Sequence, residues 1–180
     1  MTIEKIWNEC RRLHETYGDL SPWDLCDAEN IQVLCVPMGT QPGACKGFFL
    51  RRFGVSCITV NADLSRETMR AVLWHELGHA LLHRDEAEQT ELVDFALAGN
   101  TDVLEYEANL FAAEMMISDS RILELLKEER TVFEAASETD VPPELVDYKI
   151  RILQHRGLNL LPPLYARSNF MKDIDRINRF

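Results

Sequence analysis

Apolar side chains recur at helical spacing through residues 2–17, where Ile3, Ile6, Trp7, Cys10 and Leu13 or His14 fall on one stripe. Pro22 directly after Ser21 suits the first turn of a short second helix. The period then shortens from helix to strand. Residues 31–36, Ile-Gln-Val-Leu-Cys-Val, read as a strand stopped by Pro37, and residues 46–53 and 55–60 as two more around Gly54. Between them, residues 37–43 hold two prolines and two glycines and read as a loop. Helical spacing returns after Asn61, with Asp63 or Ser65 placed to cap a helix that runs to about His83.

Residues 84–101 are acidic and irregular, and further helices are expected over about 102–117 and 120–129. Residues 131–156 read as a short helix, a turn at Val141-Pro142-Pro143 and a longer helix, the outline of a helix-turn-helix. From Gly157 the chain, with Pro162-Pro163, reads as a tail. The order helix, small sheet, helices predicts an α+β fold with a three-stranded antiparallel or mixed sheet packed on helices. The expected organisation is a domain over 1–130, a helical module over 131–156 packed on it, and a tail over 157–180.

Composition narrows the function. The 180 residues are 46% hydrophobic and 27% charged, values of a globular chain. Thirty acidic against 19 basic residues give a net charge of -11, which disfavours phosphate backbones and anionic membrane surfaces as partners. No apolar stretch of signal-peptide length interrupts residues 1–18, and none reaches the length of a membrane span. Five cysteines, an odd number with no Cys-x-x-Cys, fit reduced thiols in a cytoplasm and a role as small core residues.

The chemistry sits in His75-Glu76-Leu77-Gly78-His79. Four helical residues advance about 400°, so the two imidazoles share a stripe about 6 Å apart along the axis and can hold one ion. Glu76, about 100° round from His75, is placed as a general base rather than a ligand. The flanks Val72-Leu73-Trp74 and Ala80-Leu81-Leu82 are apolar, so these polar groups need partners or an ion. Gly78 costs about 1 kcal/mol against Ala in mid-helix, which points to close approach by a neighbouring strand or by substrate.

A third ligand must come from elsewhere. Asp85 stands where an extended motif carries its last histidine, but Leu82 replaces the glycine that would turn the chain back. His83 lies about 12 Å from His75 along a continuous helix, too far to share the ion, and is expected to be supporting. The next helix offers Glu105 or Glu107. Glu105, Ala108 and Ala112 share a face, Asn109 can hydrogen-bond a ligand imidazole, and Glu107 lies about 200° round from Glu105. Only one of the two glutamates can face the ion. A solvated position is expected for Glu107 and Glu114.

The run from Gly47 to Ile117 resembles the ImmA/IrrE-type metallopeptidases. The matching stretches are Lys46-Gly47-Phe48-Phe49, Ile58-Thr59-Val60-Asn61, the run from Arg70 to His83, and Glu105-x-x-Ala-Asn-x-Phe-Ala-Ala113. Ser118 stands where that family usually has a proline. The resemblance implies a zincin-like helical core, Zn2+ held by His75, His79 and Glu105, and Glu76 as catalytic base. It also implies an intracellular regulatory protease of a bacterium or mobile element that cleaves a helix-turn-helix repressor. The alternative is a metal-binding sensor that acts on a regulator without cutting it. Tyr106, His83 and Tyr148 are candidates to stabilise the carbonyl oxygen. DNA binding by the 131–156 module is disfavoured, because Glu144 and Asp147 sit in the helix that would enter the groove. Charge is uneven: the tail carries Arg167, Lys172, Arg176 and Arg179 against Asp173 and Asp175, whereas the stretch from Asp85 to Glu107 is acidic. That acidity is expected to steer a basic repressor toward the site, with the tail folding back on the same face.

Overall fold

A computed structural model describes residues 1–84 and 101–160. The acidic stretch that includes Asp85, and the tail beyond residue 160 with its Pro162-Pro163 and basic residues, lie outside the described residues. Among the described residues the elements are α1 (Ile3–Tyr17), α2 (Pro22–Ala28), β1 (Ile31–Val36), β2 (Gly47–Arg52), β3 (Val55–Asn61), α3 (Arg66–Leu82), α4 (Thr101–Met116), α5 (Asp119–Lys127), α6 (Val132–Thr139) and α7 (Pro143–His155). The fold is α+β.

Local chemistry sets most boundaries. Thr2, Ser21, Ser65, Ser118 and Thr131 each accept a hydrogen bond from an orphan N–H of the following first turn. Ser65 rather than Asp63 therefore starts α3. Ser118, at the position where the resemblance suggests proline, caps α5 instead. Thr131 and Glu134 form a reciprocal capping box at α6.

The sheet is mixed, in the order β1-β3-β2, with β1 parallel and β2 antiparallel to β3. The β2–β3 hairpin turns through Phe53 and Gly54, both at positive φ (51° and 76°), which matches the right-handed strand twist. Gly47, Phe49 and Arg51 pair with Val60, Ile58 and Ser56 on the side that faces α3. The opposite face leaves Leu34 and Phe48 exposed. Asn61 ties the loop after β1 to the sheet, donating to the carbonyls of Gly39 and Cys45 and accepting from the Met38 N–H.

Helix α3 runs through the middle of the molecule, with residues 71–80 all buried. One hydrophobic cluster joins α1, the sheet, α3, α4 and the C-terminal helices. Residues 145–150 of α7 are buried, so most of that helix's first half is committed to the core rather than to a free face. Lys149 is only 1% exposed, with Nζ 2.6 Å from Glu114 and 2.7 Å from Asp119. Glu114 is thus not solvated as expected, because a buried ammonium on α7 needs a counter-charge on α4. No described helix is long and apolar enough to cross a membrane.

Candidate metal centre

The site forms where α3 and α4 cross. Buried apolar residues on both sides of His75 and His79 hold α3 in place, and both histidines are themselves buried. Gly78 lies between them. A Cβ there would fall 3.0 Å from the Cα and 3.2 Å from the carbonyl oxygen of Ala108. The neighbour that requires glycine is therefore α4, not a strand or substrate as the sequence suggested. The close approach carries Glu105, one turn before Asn109, to the two imidazoles.

Three ligand atoms converge. His75 Nε2 and His79 Nε2 are 3.1 Å apart, and the Glu105 oxygens lie 3.2 Å from each. The three side chains form a group within 4.8 Å that can hold a metal ion. Tetrahedral bonds of about 2.0–2.1 Å place neighbouring ligand atoms about 3.3 Å apart, so the donor set and its spacing fit a divalent ion. His75 Nδ1 is 3.0 Å from Asn109 Oδ1, the support expected of Asn109. A His75 that offered Nε2 to an ion would carry its proton on Nδ1 and donate it to that carbonyl.

Electrostatics sharpen the arrangement. Burial works against the Glu105 carboxylate, yet hydrogen bonds and charge from His75 and His79 hold its pKa below the usual range. Burial, assisted by His75 and His83, drives His79 down to about 4 despite Glu105. At His75 burial also opposes the cation, but Glu105, Glu76 and Asn109 outweigh it and the net shift is upward. Without metal, a proton at this pair therefore prefers His75.

Glu76 is buried beside this group, and burial together with the Glu105 charge pushes its pKa up to about 7. Its carboxylate accepts from the Phe49 backbone N–H of β2. Gly47 permits that contact. A Cβ on Gly47 would lie 2.6 Å from Val72 Cγ1 and 3.6 Å from Glu76 Cγ, so only glycine lets β2 lie this close to α3.

The remaining candidates separate. His83 ends α3 and pairs with Glu107, Nε2 to Oε2 at 2.9 Å, while its Nδ1 is 3.1 Å from His79 Nδ1. Glu107, expected in solvent, is 3% exposed, and its other oxygen meets the Met1 amine. The signal for its burial was the apolar run that follows, since residues 107–113 are all buried. Tyr106 and Tyr148 pack edge to face, with centroids 5.6 Å apart.

A family model for the IrrE N-terminal-like peptidase domain matches residues 26–151. The chain belongs to this metallopeptidase family. An uncharacterized immunity region protein 2 of Bacillus phage phi105 is 30% identical over 139 residues, which cover 77% of this chain and 85% of the phage protein. Metallopeptidase ImmA of Bacillus subtilis (strain 168) is 26% identical over 151 residues, covering 83% of this chain and 86% of ImmA. This family member carries its His-His-Glu group inside the matched segment.

Proposed function

We propose that this metallopeptidase is a zinc-dependent endopeptidase, with zinc held by His75, His79 and Glu105, and that its substrate is a helix-turn-helix repressor. The observation that carries the reading is the convergence of these three side chains beside a buried Glu76. When bound, the ion supplies Lewis-acid polarisation of the scissile carbonyl and lowers the pKa of water to about 7. Glu76 then acts as general base. It removes a proton from the attacking water and returns it to the leaving amine. The Phe49 N–H holds the Glu76 carboxylate in place meanwhile.

Strand β2 ends the described sheet on one side. An extended substrate segment added along that edge would lie beside Glu76 and gain main-chain hydrogen bonds. Two relatives bear the names of an immunity-region protein and of ImmA, which supports a protein substrate within a repressor system. The net charge of -11 favours encounter with a basic, DNA-binding partner. The module over 131–156 serves as packing support for α4. The five cysteines are free thiols, in keeping with a cytoplasmic setting.

Purified chain mixed with a helix-turn-helix repressor, taken from a neighbouring reading frame where one is found, tests this reading. Wild type should cut the repressor and Glu76→Gln should bind zinc but leave it intact. Equal cleavage by both proteins refutes the mechanism, and zinc binding without cleavage by either supports a sensor that does not cut.

A further inference from the structure

We propose that His83 and Glu107 are positioning residues that lock His79 in the tautomer and orientation needed to present Nε2 to the metal. The inference rests on the reading of His79 as a ligand and extends it to two side chains outside the ligand set.

Proton counting along the three side chains fixes their tautomers. His79 Nε2 is the atom that converges with His75 and Glu105. It must therefore be bare when an ion is held, and the ring proton of a neutral imidazole then sits on Nδ1. That Nδ1 faces His83 Nδ1 at 3.1 Å. Two facing nitrogens share one proton, so His79 Nδ1–H donates and His83 Nδ1 accepts. His83 is thereby fixed as the Nε2–H tautomer, and Nε2 lies 2.9 Å from Glu107 Oε2. Every donor in this chain meets an acceptor, and it ends on a carboxylate.

The same distances with His83 donating from both nitrogens would not leave His79 ready to ligate. A doubly protonated His83 would donate from both nitrogens, and His79 Nδ1 would have to accept. The His79 proton would then move to Nε2 and block the ligand atom. The pair at 83 and 107 must hold a neutral imidazole to leave the ligand usable.

The surroundings make the chain rigid. His83 is 1% and Glu107 3% exposed, so no bulk water competes for these bonds. His83 stands at the C-cap of α3, its N–H bonded to the His79 carbonyl. Leaving helical geometry there lets its ring turn toward its neighbour's Nδ1. The two ligand histidines are thus supported unequally from one helix. His75 leans on the neutral amide of Asn109, and His79 leans on an imidazole backed by the charge of Glu107. Carboxylate-backed imidazoles are better donors to a metal than unsupported ones.

The test uses the full chain and zinc itself. Zinc affinity is measured by chelator competition for wild type, His83→Leu, His83→Gln, Glu107→Ala and Glu107→Gln. Ring-nitrogen NMR reads the histidine tautomers with and without zinc. His83→Leu should weaken zinc binding on the order of 10–100-fold. His83→Gln should recover much of that loss, because its amide oxygen can accept from His79 Nδ1–H. Glu107→Gln should lose less than Glu107→Ala for the same reason. Should His83→Leu fail to fold, the His83→Gln and Glu107 pair carry the comparison. The proposal is overturned if the folded variants bind zinc like wild type, if His83→Gln is no better than His83→Leu, or if NMR places the His79 proton on Nε2. If zinc binding ignores Glu105→Ala, the ligand assignment has failed. The metal-free tautomers then still decide whether the His79–His83–Glu107 chain exists, and its absence refutes the inference separately.

Discussion

Gly78 and Ala108 meet backbone to backbone: a Cβ on the glycine would stand 3.0 Å from the alanine Cα. This contact sets the distance from the two histidines of α3 to Glu105 of α4. Gly78→Ala should gain up to about 1 kcal/mol of helix propensity yet lose about 1–3 kcal/mol to overpacking. The larger effect is expected in metal affinity, since α4 must move away from His75 and His79. Urea unfolding together with zinc titration of the variant checks both, and unchanged zinc affinity would show that the helix spacing is not critical.

Glu76 gives the metal-free protein a distinctive pH dependence. Its folded pKa is near 7 against an ordinary value of 4.5, so the folded state holds a proton that the unfolded state has released between those values. Its contribution to stability is therefore greatest below pH 4.5, falls as pH rises toward 7, and is flat above. Glu76→Gln removes this dependence. The metal-free variant should gain on wild type across that window, on the order of 3 kcal/mol in total. Bound zinc should shrink the difference, because a nearby cation favours the carboxylate. Urea titrations on both sides of the window, with and without chelator, read it directly. A constant difference between the two proteins would contradict the burial argument.

Lys149 joins α7 to Glu114 and Asp119 from a buried position. Lys149→Met should cost about 3–5 kcal/mol, because it strands buried negative charge. Adding Glu114→Gln should recover part of that loss. Burial opposes the Asp119 carboxylate, but Lys149 and Arg156 hold its pKa below the ordinary 3.8. Its contribution is thus present above pH 3.8 and lost as pH falls through the folded value. Chemical denaturation of the single and double variants checks the ledger. A double variant no more stable than Lys149→Met would contradict the pairing.

What the sequence made legible follows from range. The helix over Arg66–Leu82 was readable because its cap, Ser65, and its two-histidine spacing are local. The hairpin was readable because Gly54 parts two strand-like runs, whereas the positive φ of Phe53 has no signal in the sequence. The parallel pairing of β1 with β3 was not, since β2 intervenes in the chain and register depends on how α3 covers the sheet. The sequence likewise puts Glu107 and Glu114 in solvent, for the same reason. Their partners, His83 and Lys149, lie 24 and 35 residues away. Gly78 announced a close approach but not its partner, which only the packing of α4 reveals.

The proposed mechanism requires Glu105 to complete the metal site with His75 and His79. Zinc titration of wild type, Glu105→Ala and His79→Ala, with bound metal counted after dialysis, tests it most directly. Wild type should retain one zinc per chain, and both variants should lose it while keeping their helical content. Retention of one zinc by Glu105→Ala with undiminished affinity would rule out Glu105 as the third ligand.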